Sequence, residues 1–301
     1  YGSGALAGVI NIITRKKSPQ DQIQAGVKGG SFGLLGAELA ADFHVSDSFY
    51  GVLDFSSLSQ GDYQTASGQA YKNTGYGKTQ AYGGFFVPLA AGLLEGSVSY
   101  LRSREVGNPN ALVINDLDDY SEGDHINVDV HYEKYWSSFS LQGSGYFVSD
   151  RHLNVGKGSG PFDNWEFLQR LYETGFSVMG RQDWGRARFL MGLSADYARL
   201  GKQSETGSYN EPKTEYLLGG VFAEGQWEAL KGLVFNLGLR YDRYQMSVMD
   251  STGITFSGNE KSKDFDFFAL RGGASWQEGS WLAKISAGTG FTAPKIGRAH
   301  V

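Results

Sequence analysis

Two stretches of this sequence concentrate side chains with binding chemistry. Asp116, Asp118, Asp119, Glu122 and Asp124 crowd into one short segment. Hard cations such as calcium take several carboxylate and carbonyl oxygens, so five acids this close are candidate metal ligands. Their spacing is not that of an EF-hand loop, and the competing reading is a solvated acidic loop. The second stretch holds Arg151, His152, Lys157, Phe162 and Trp165. Guanidinium and ammonium groups pair with anions, and aromatic faces add stacking and cation contacts. Together they suit a negatively charged chelate; ordinary loop composition is the competing reading.

Covalent chemistry finds no comparable support. Cys is absent, which excludes thiolate metal sites, disulfide scaffolds and Cys nucleophiles. The five His are scattered, and Asp, His and Ser form no recognisable nucleophilic constellation. His44 and His131 fall on polar strand faces. No GxxxxGK[ST] phosphate loop occurs. Gly156, Gly158 and Gly160 lack a strand-to-helix context and read as loop glycines. The expectation is a protein without catalytic residues or cofactors.

The elements that position these stretches announce themselves by period-two alternation. Ile126, Val128, Val130 and Tyr132 alternate with Asn127, Asp129, His131 and Glu133. Phe235, Leu237, Leu239 and Tyr241 alternate with Asn236, Gly238, Arg240 and Asp242. Leu35, Ala37, Leu39, Ala41 and Phe43 form another such series, as do Ala283, Ile285 and Ala287. We read thirteen strands, starting near Ile23, Leu35, Phe49, Gly77, Leu94, Ile126, Phe139, Leu171, Phe189, Leu217, Leu233, Phe268 and Leu282. The one near Leu217 has the weakest pattern, because Leu218 and Phe222 sit on its polar face.

Connection lengths alternate as well. Val45–Ser48, Pro88–Gly92, Lys134–Ser138, Asp183–Arg186, Glu228–Gly232 and Gln277–Ser280 are tight. Ser59–Asn73, Arg104–Asp124, Asp150–Glu166, Gly201–Lys213 and Met249–Asp264 are long. Only the first loop, near Gly30, breaks the rule by being short. Outer-membrane barrels have short turns at one end and long loops at the other, whereas a soluble sandwich has no reason to sort its loops. Trp136, Trp184, Trp227, Trp276 and Trp281 lie beside the tight turns, where amphipathic rings settle at a membrane boundary.

Composition agrees. Gly is 43 of 301 residues, about twice the usual share of roughly 7%. Aromatics make up 14%, which argues against disorder. No run approaches the ~20 apolar residues of a transmembrane helix. The net charge of −5 offers no electrostatic case for nucleic acid. The expected fold class is all-β, an antiparallel transmembrane β-barrel.

Residues 1–16 read YGSGALAGVINIITRK. Taken alone this is a glycine-permitted tight segment followed by a short buried strand, Val9–Ile13, and a basic run, Arg15–Lys17. The string closely resembles the end of the plug domain in TonB-dependent outer-membrane receptors. Tyr1, Gly2, Ser3, Ala5, Gly8, Val9, Ile10, Asn11, Ile12, Ile13 and Thr14 match that family's pattern. Ala7 replaces the first glycine of its usual pair, and Arg15 stands where Lys is frequent. A weaker match is GTGFTAP, Gly288–Pro294, in which Phe291, Ala293 and Pro294 fit a mid-barrel motif and Thr292 replaces a basic residue.

The resemblance implies the end of a plug domain at 1–17 and a partial barrel at 22–295, about 13 of the family's 22 strands. It implies a receptor in the outer membrane of a Gram-negative bacterium. Such a receptor imports a scarce ligand, such as a ferric siderophore or cobalamin, and is driven by the TonB–ExbB–ExbD complex. Its other partner is outer-membrane lipid. The second stretch above would then grip an anionic iron chelate. Residues Ile296–Val301, IGRAHV, match a translated sequencing adapter, and we expect them to be an artefact. Two rivals stay open: a passive porin, which leaves the plug-like start unexplained, and a β-rich surface adhesin or lectin, which leaves the sorted loops unexplained.

Overall fold

Side chains that alternate in polarity along an extended chain need a sheet with one dry face and one wet face. The computed structural model describes residues 20–46, 48–107, 119–156, 165–204, 209–250 and 262–290. The plug-like segment 1–17, Phe291, Thr292, Ala293, Pro294 and the stretch 296–301 lie outside them.

Thirteen strands form one sheet: β1 (Gln22–Gly30), β2 (Leu34–Ser46), β3 (Phe49–Gln60), β4 (Tyr76–Leu89), β5 (Gly92–Gly107), β6 (Tyr120–Tyr135) and β7 (Phe139–Gly156), then β8 (Trp165–Trp184), β9 (Ala187–Ser204), β10 (Tyr209–Leu230), β11 (Leu233–Asp250), β12 (Ser262–Glu278) and β13 (Trp281–Gly288). Every neighbouring pair is antiparallel, and the spatial order is the sequence order. One 3-10 turn, Ser31–Gly33, joins β1 to β2. Among the described residues, β1 and β13 do not pair with each other. The tight turns close on glycine where the backbone must turn left-handed. Gly232 has φ 81°, and a Cβ there would stand 2.2 Å from the Gln277 carbonyl oxygen.

The apolar side chains are not inside. Only Leu153, Val155, Ala198 and Tyr244 are buried apolar residues among those described. A soluble chain of this length would bury a far larger core. Instead Val27 is 87% exposed, Ile285 75% and Leu237 56%, and the register aligns such residues row by row on one face. Tight-turn tryptophans continue that face, with Trp184 73% and Trp281 78% exposed. This sheet buries its apolar face only if lipid covers it.

The strands are longer than the alternation suggests. Across a bilayer, about 9–11 tilted residues suffice, yet β8 has 20 residues and β10 has 22. All but the first of the expected long loops are correspondingly shorter. β5 continues to Gly107 and β6 begins at Tyr120; β7 continues to Gly156 and β8 begins at Trp165. The physical reason is that both faces are wet beyond the membrane. Polarity then stops alternating while the backbone ladder goes on.

Candidate functional site

The face opposite the apolar one carries Asn236, Gly238, Arg240, Asp242 and Tyr244 on β11, and its register partners on β10 are Gln226, Glu224, Phe222, Gly220 and Leu218. Near the tight turns this polar face holds a concavity of about 450 Å³, lined by Gln142, Arg181, Arg188, Glu224, Asn236 and Arg271 among others. Further along, Tyr146 Oη lies 2.9 Å from Glu173 Oε1 and 2.8 Å from Asp196 Oδ1. Arg240 grips Asp242 through Nε at 2.7 and 3.0 Å and through Nη2 at 2.6 Å, and its guanidinium sits 5.9 Å from the Phe222 ring centre.

Toward the long-loop end the polar face becomes aromatic. Trp165 and Phe167 stack at 5.1 Å on β8, and Lys202 Nζ of β9 lies 5.3 Å over Phe167. Tyr216 stacks on Tyr244 at 5.5 Å, and Tyr244 packs on Phe265 at 6.3 Å. Phe265 meets Phe267 at 6.2 Å, with Lys263 Nζ 5.5 Å above its ring. Gly156 lets the Trp165 ring lie flat on β7, since a Cβ there would fall 2.1 Å from Trp165 Nε1. A wall of rings with ammonium groups beside them can stack on a flat ligand and neutralise its negative charge.

The residues singled out from sequence divide between the two faces. His152 and Trp165 are on the polar face, and His152 Nε2 lies 3.2 Å from Asn154 Oδ1. Arg151 is not with them. As the neighbour of His152 on a strand it points to the other face, where its Nη1 is 3.2 Å from Asp124 Oδ2. Lys157 and Phe162 lie outside the described residues. The acidic stretch is not gathered into one site either. Glu122 and Asp124 are strand residues of β6, whereas Asp119 precedes the strand and is 7% exposed. Asp124 is held by Tyr100 Oη at 2.9 Å, Arg102 Nε at 3.5 Å and Arg151. Asp116 and Asp118 lie outside the described residues, and among those described no group of three or more His, Asp or Glu is arranged to hold a metal.

Sequence reasoning missed Phe167, Lys202, Tyr216, Tyr244, Lys263, Phe265 and Phe267. The signal available was parity. Leu218 and Phe222 already broke the alternation on β10, and they stand on this same polar face.

Comparison with known proteins decides the lineage. A family model described as TonB dependent receptor-like, beta-barrel, matches residues 30–300. The chain belongs to the TonB-dependent receptor family. That family consists of transport receptors rather than enzymes. The ferric yersiniabactin uptake receptor FyuA from Yersinia pestis is similar with a TM-score of 0.75 and 14% identity, over 99% of this chain and 52% of its own. The ferric citrate transporter FecA in its unliganded form gives 0.72 and 12%, over 97% and 48%. The copper transporter OprC gives 0.69 and 14%, over 91% and 46%. The chain therefore spans about half the length of the structures it matches. At such identities the likeness establishes the barrel fold, so the polar face is the lumenal one. Among the described residues no helix is long and apolar enough to cross a membrane, which bears only on helical spans.

Proposed function

We propose that this TonB-dependent receptor barrel lies in the outer membrane of a Gram-negative bacterium and imports a scarce ligand such as a ferric siderophore or cobalamin. The observation that carries the reading is the lumenal wall of rings and ammonium groups at the long-loop end: Trp165, Phe167 and Lys202, then Tyr244, Phe265 and Lys263. An anionic iron chelate matches this wall in charge and in stacking surface. The matched ferric citrate transporter, ferric yersiniabactin uptake receptor and copper transporter support a metal-bearing ligand. His152, Lys157, Phe162 and Trp165 remain ligand contacts in this proposal, while Arg151, turned outward, leaves it. The carboxylates Asp116 and Asp118 stay candidate calcium ligands in the adjoining loop; Asp124 is engaged by arginines.

Residues 1–17 would end the plug and 22–295 would build the barrel wall. Import would draw on the TonB–ExbB–ExbD complex, with no covalent change to the ligand.

The test is uptake by the full-length receptor, comparing iron chelates with cobalamin in cells with and without TonB. We expect TonB-dependent accumulation of an iron chelate, and weaker chelate binding when Trp165 or Lys202 is replaced by Ala. Uptake that persists without TonB would replace the receptor by a passive porin. Absence of uptake would point to a surface-adhesin role or to a ligand outside the two classes compared.

A further inference from the structure

At the long-loop end, the connection between β3 and β4 folds into a small body of its own. Across residues 61–75, Tyr71 N–H donates to the Tyr63 carbonyl at 2.8 Å, and Thr65 N–H donates to the Gln69 carbonyl at 2.8 Å. Gly68 N–H closes the tip on the Thr65 carbonyl at 2.9 Å. The Asp62 carboxylate seals the base, accepting from the Thr74 and Gly75 amides at 2.8 and 3.0 Å. Thr74 Oγ1 accepts from Tyr63 N–H at 3.0 Å and donates to the Tyr71 carbonyl at 2.7 Å. The Tyr63 and Tyr71 rings stack at 5.0 Å, 9° from parallel. Cross-linked in this way, the hairpin is stiff.

Three bonds fasten it to the connections on either side. Gly61 N–H donates to the carbonyl of Phe32, in the turn between β1 and β2, at 2.9 Å. Gly107 N–H, at the end of β5, donates to the Gly75 carbonyl at 3.0 Å. Asn73 Nδ2 donates to the carbonyl of Asp119, just before β6, at 2.6 Å. The seat is close: a Cβ on Gly107 would stand 2.2 Å from the Asn73 carbonyl oxygen.

Backbone strain gathers at the same junctions. Phe32, Asn73 and Glu105 have φ of 62°, 60° and 47°, and they are the non-glycine residues with positive φ among those described. Asn enters the left-handed region readily, whereas a bulky residue such as Phe does so at a cost. Glu105 lies where the register of β5 with β6 shifts, between Ser103 and Val106. Strained backbone persists only where its surroundings over-determine it, and it gathers at switch regions. Here the three ties do the holding, and strain at Phe32 and Glu105 pulls against them.

We propose that residues 61–75 are a latched strap. The hairpin moves as one body, Asn73 is its latch, and its ties to the β1–β2 turn, to Gly107 and to Asp119 open together. A contact made at any one of these connections then shifts the other two. The proposal rests on neither the transported ligand nor the TonB partner.

The test is hydrogen exchange of the full-length receptor in nanodiscs, read amide by amide by mass spectrometry. In the unaltered receptor we expect the Gly61 and Gly107 amides to share one protection factor, although they bond to different connections. Asn73→Ala should speed exchange at both by about tenfold. The Tyr71 and Thr65 amides, inside the hairpin, should keep their rates. Phe32→Asn, which suits the left-handed conformation better, should slow exchange at Gly107 by about threefold without touching it. Unequal protection of Gly61 and Gly107 in the unaltered receptor would overturn the proposal. So would an Asn73→Ala effect that stops short of Gly61, since the connections would then move independently. Faster exchange at Tyr71 and Thr65 in that variant would overturn it too, because the hairpin would be melting rather than unlatching. An unchanged Gly107 rate in Phe32→Asn would remove the opposing strain and with it the switch.

Discussion

Replacing Asp242 by Asn should destabilise the barrel more than any substitution of comparable size on the lumenal wall. The Asp242 side chain is 1% exposed and takes three contacts of 2.6 to 3.0 Å from Arg240, itself 18% exposed. The amide of Asn fills the same volume but brings no charge and offers one acceptor oxygen. Arg240 is then left as a half-satisfied cation against Phe222 and the Gly220 backbone. Removing one partner of a buried pair costs about 3–5 kcal/mol. Because Arg240 keeps an edge toward the wet lumen, the lower end applies, about 3 kcal/mol. Gly220→Ala attacks the same pair without altering charge. Its new Cβ would stand 2.4 Å from Asp242 Oδ1 and 2.7 Å from Arg240 Nη2, and forcing them apart costs about 1–3 kcal/mol. The joint replacement Arg240→Met with Asp242→Leu removes both charges and should lie within about 1 kcal/mol of the parent. Denaturant unfolding of the full-length receptor in bilayers, followed by tryptophan emission, measures all four proteins. Should D242N unfold within about 0.5 kcal/mol of the parent, or the double variant be as unstable as D242N, the pair does not hold this wall together.

Other perturbations test other parts of the molecule. Leu239→Arg, on the lipid-facing side where Leu239 is 42% exposed, should cost about 2–4 kcal/mol. Asn236→Arg on the lumenal side of the same strand should cost under about 1 kcal/mol by the same unfolding measurement. At the start of the sheet, Asp21 accepts from the His44 ring and from the His44 backbone N–H at 2.8 Å, and these contacts hold its carboxyl below the usual range. A depressed carboxyl contributes above its unfolded value of about 4 and loses that contribution as pH falls through the lower folded value. Hydrogen exchange at the His44 amide should therefore accelerate on acidification below about pH 4 beyond its intrinsic pH dependence, and Asp21→Asn should remove that excess. Produced alone, the 301-residue chain should give no heat-modifiable, protease-resistant monomer in detergent, because the outer edges of β1 and β13 leave backbone groups unpaired in lipid. Such a monomer, seen on a gel, would mean that the edges find partners.

The strands were legible in the sequence wherever one face meets lipid and the other meets water. Phe235 through Asp242 alternates in sequence and in the structure for that one reason. Tight turns were equally plain, since a short chain reversal needs residues such as Gly232 at φ 81°. What could not be read was the part of each strand that leaves the membrane. At Arg151 and His152 both faces are wet, polarity no longer reports direction, and two neighbours that look like one site point opposite ways. The aromatic lumenal wall was hidden by the opposite effect. Tyr244 and Phe265 are large apolar residues on the face that alternation assigns to water, and Tyr216 meets Tyr244 only through cross-strand pairing.

Because each described strand from β2 to β12 pairs only with the strands before and after it in the chain, no pairing within this part of the sheet waits for a distant part of the sequence to arrive. Loop-closure entropy is met in small, nearly equal instalments, hairpin by hairpin. The most recently added strand always offers the edge on which the next one forms, so synthesis order and assembly order can coincide. With only four buried apolar residues among those described, each added hairpin gains most of its burial on entering the bilayer. Assembly of this wall is therefore a stepwise zippering coupled to insertion, and in water alone the chain has little to drive it.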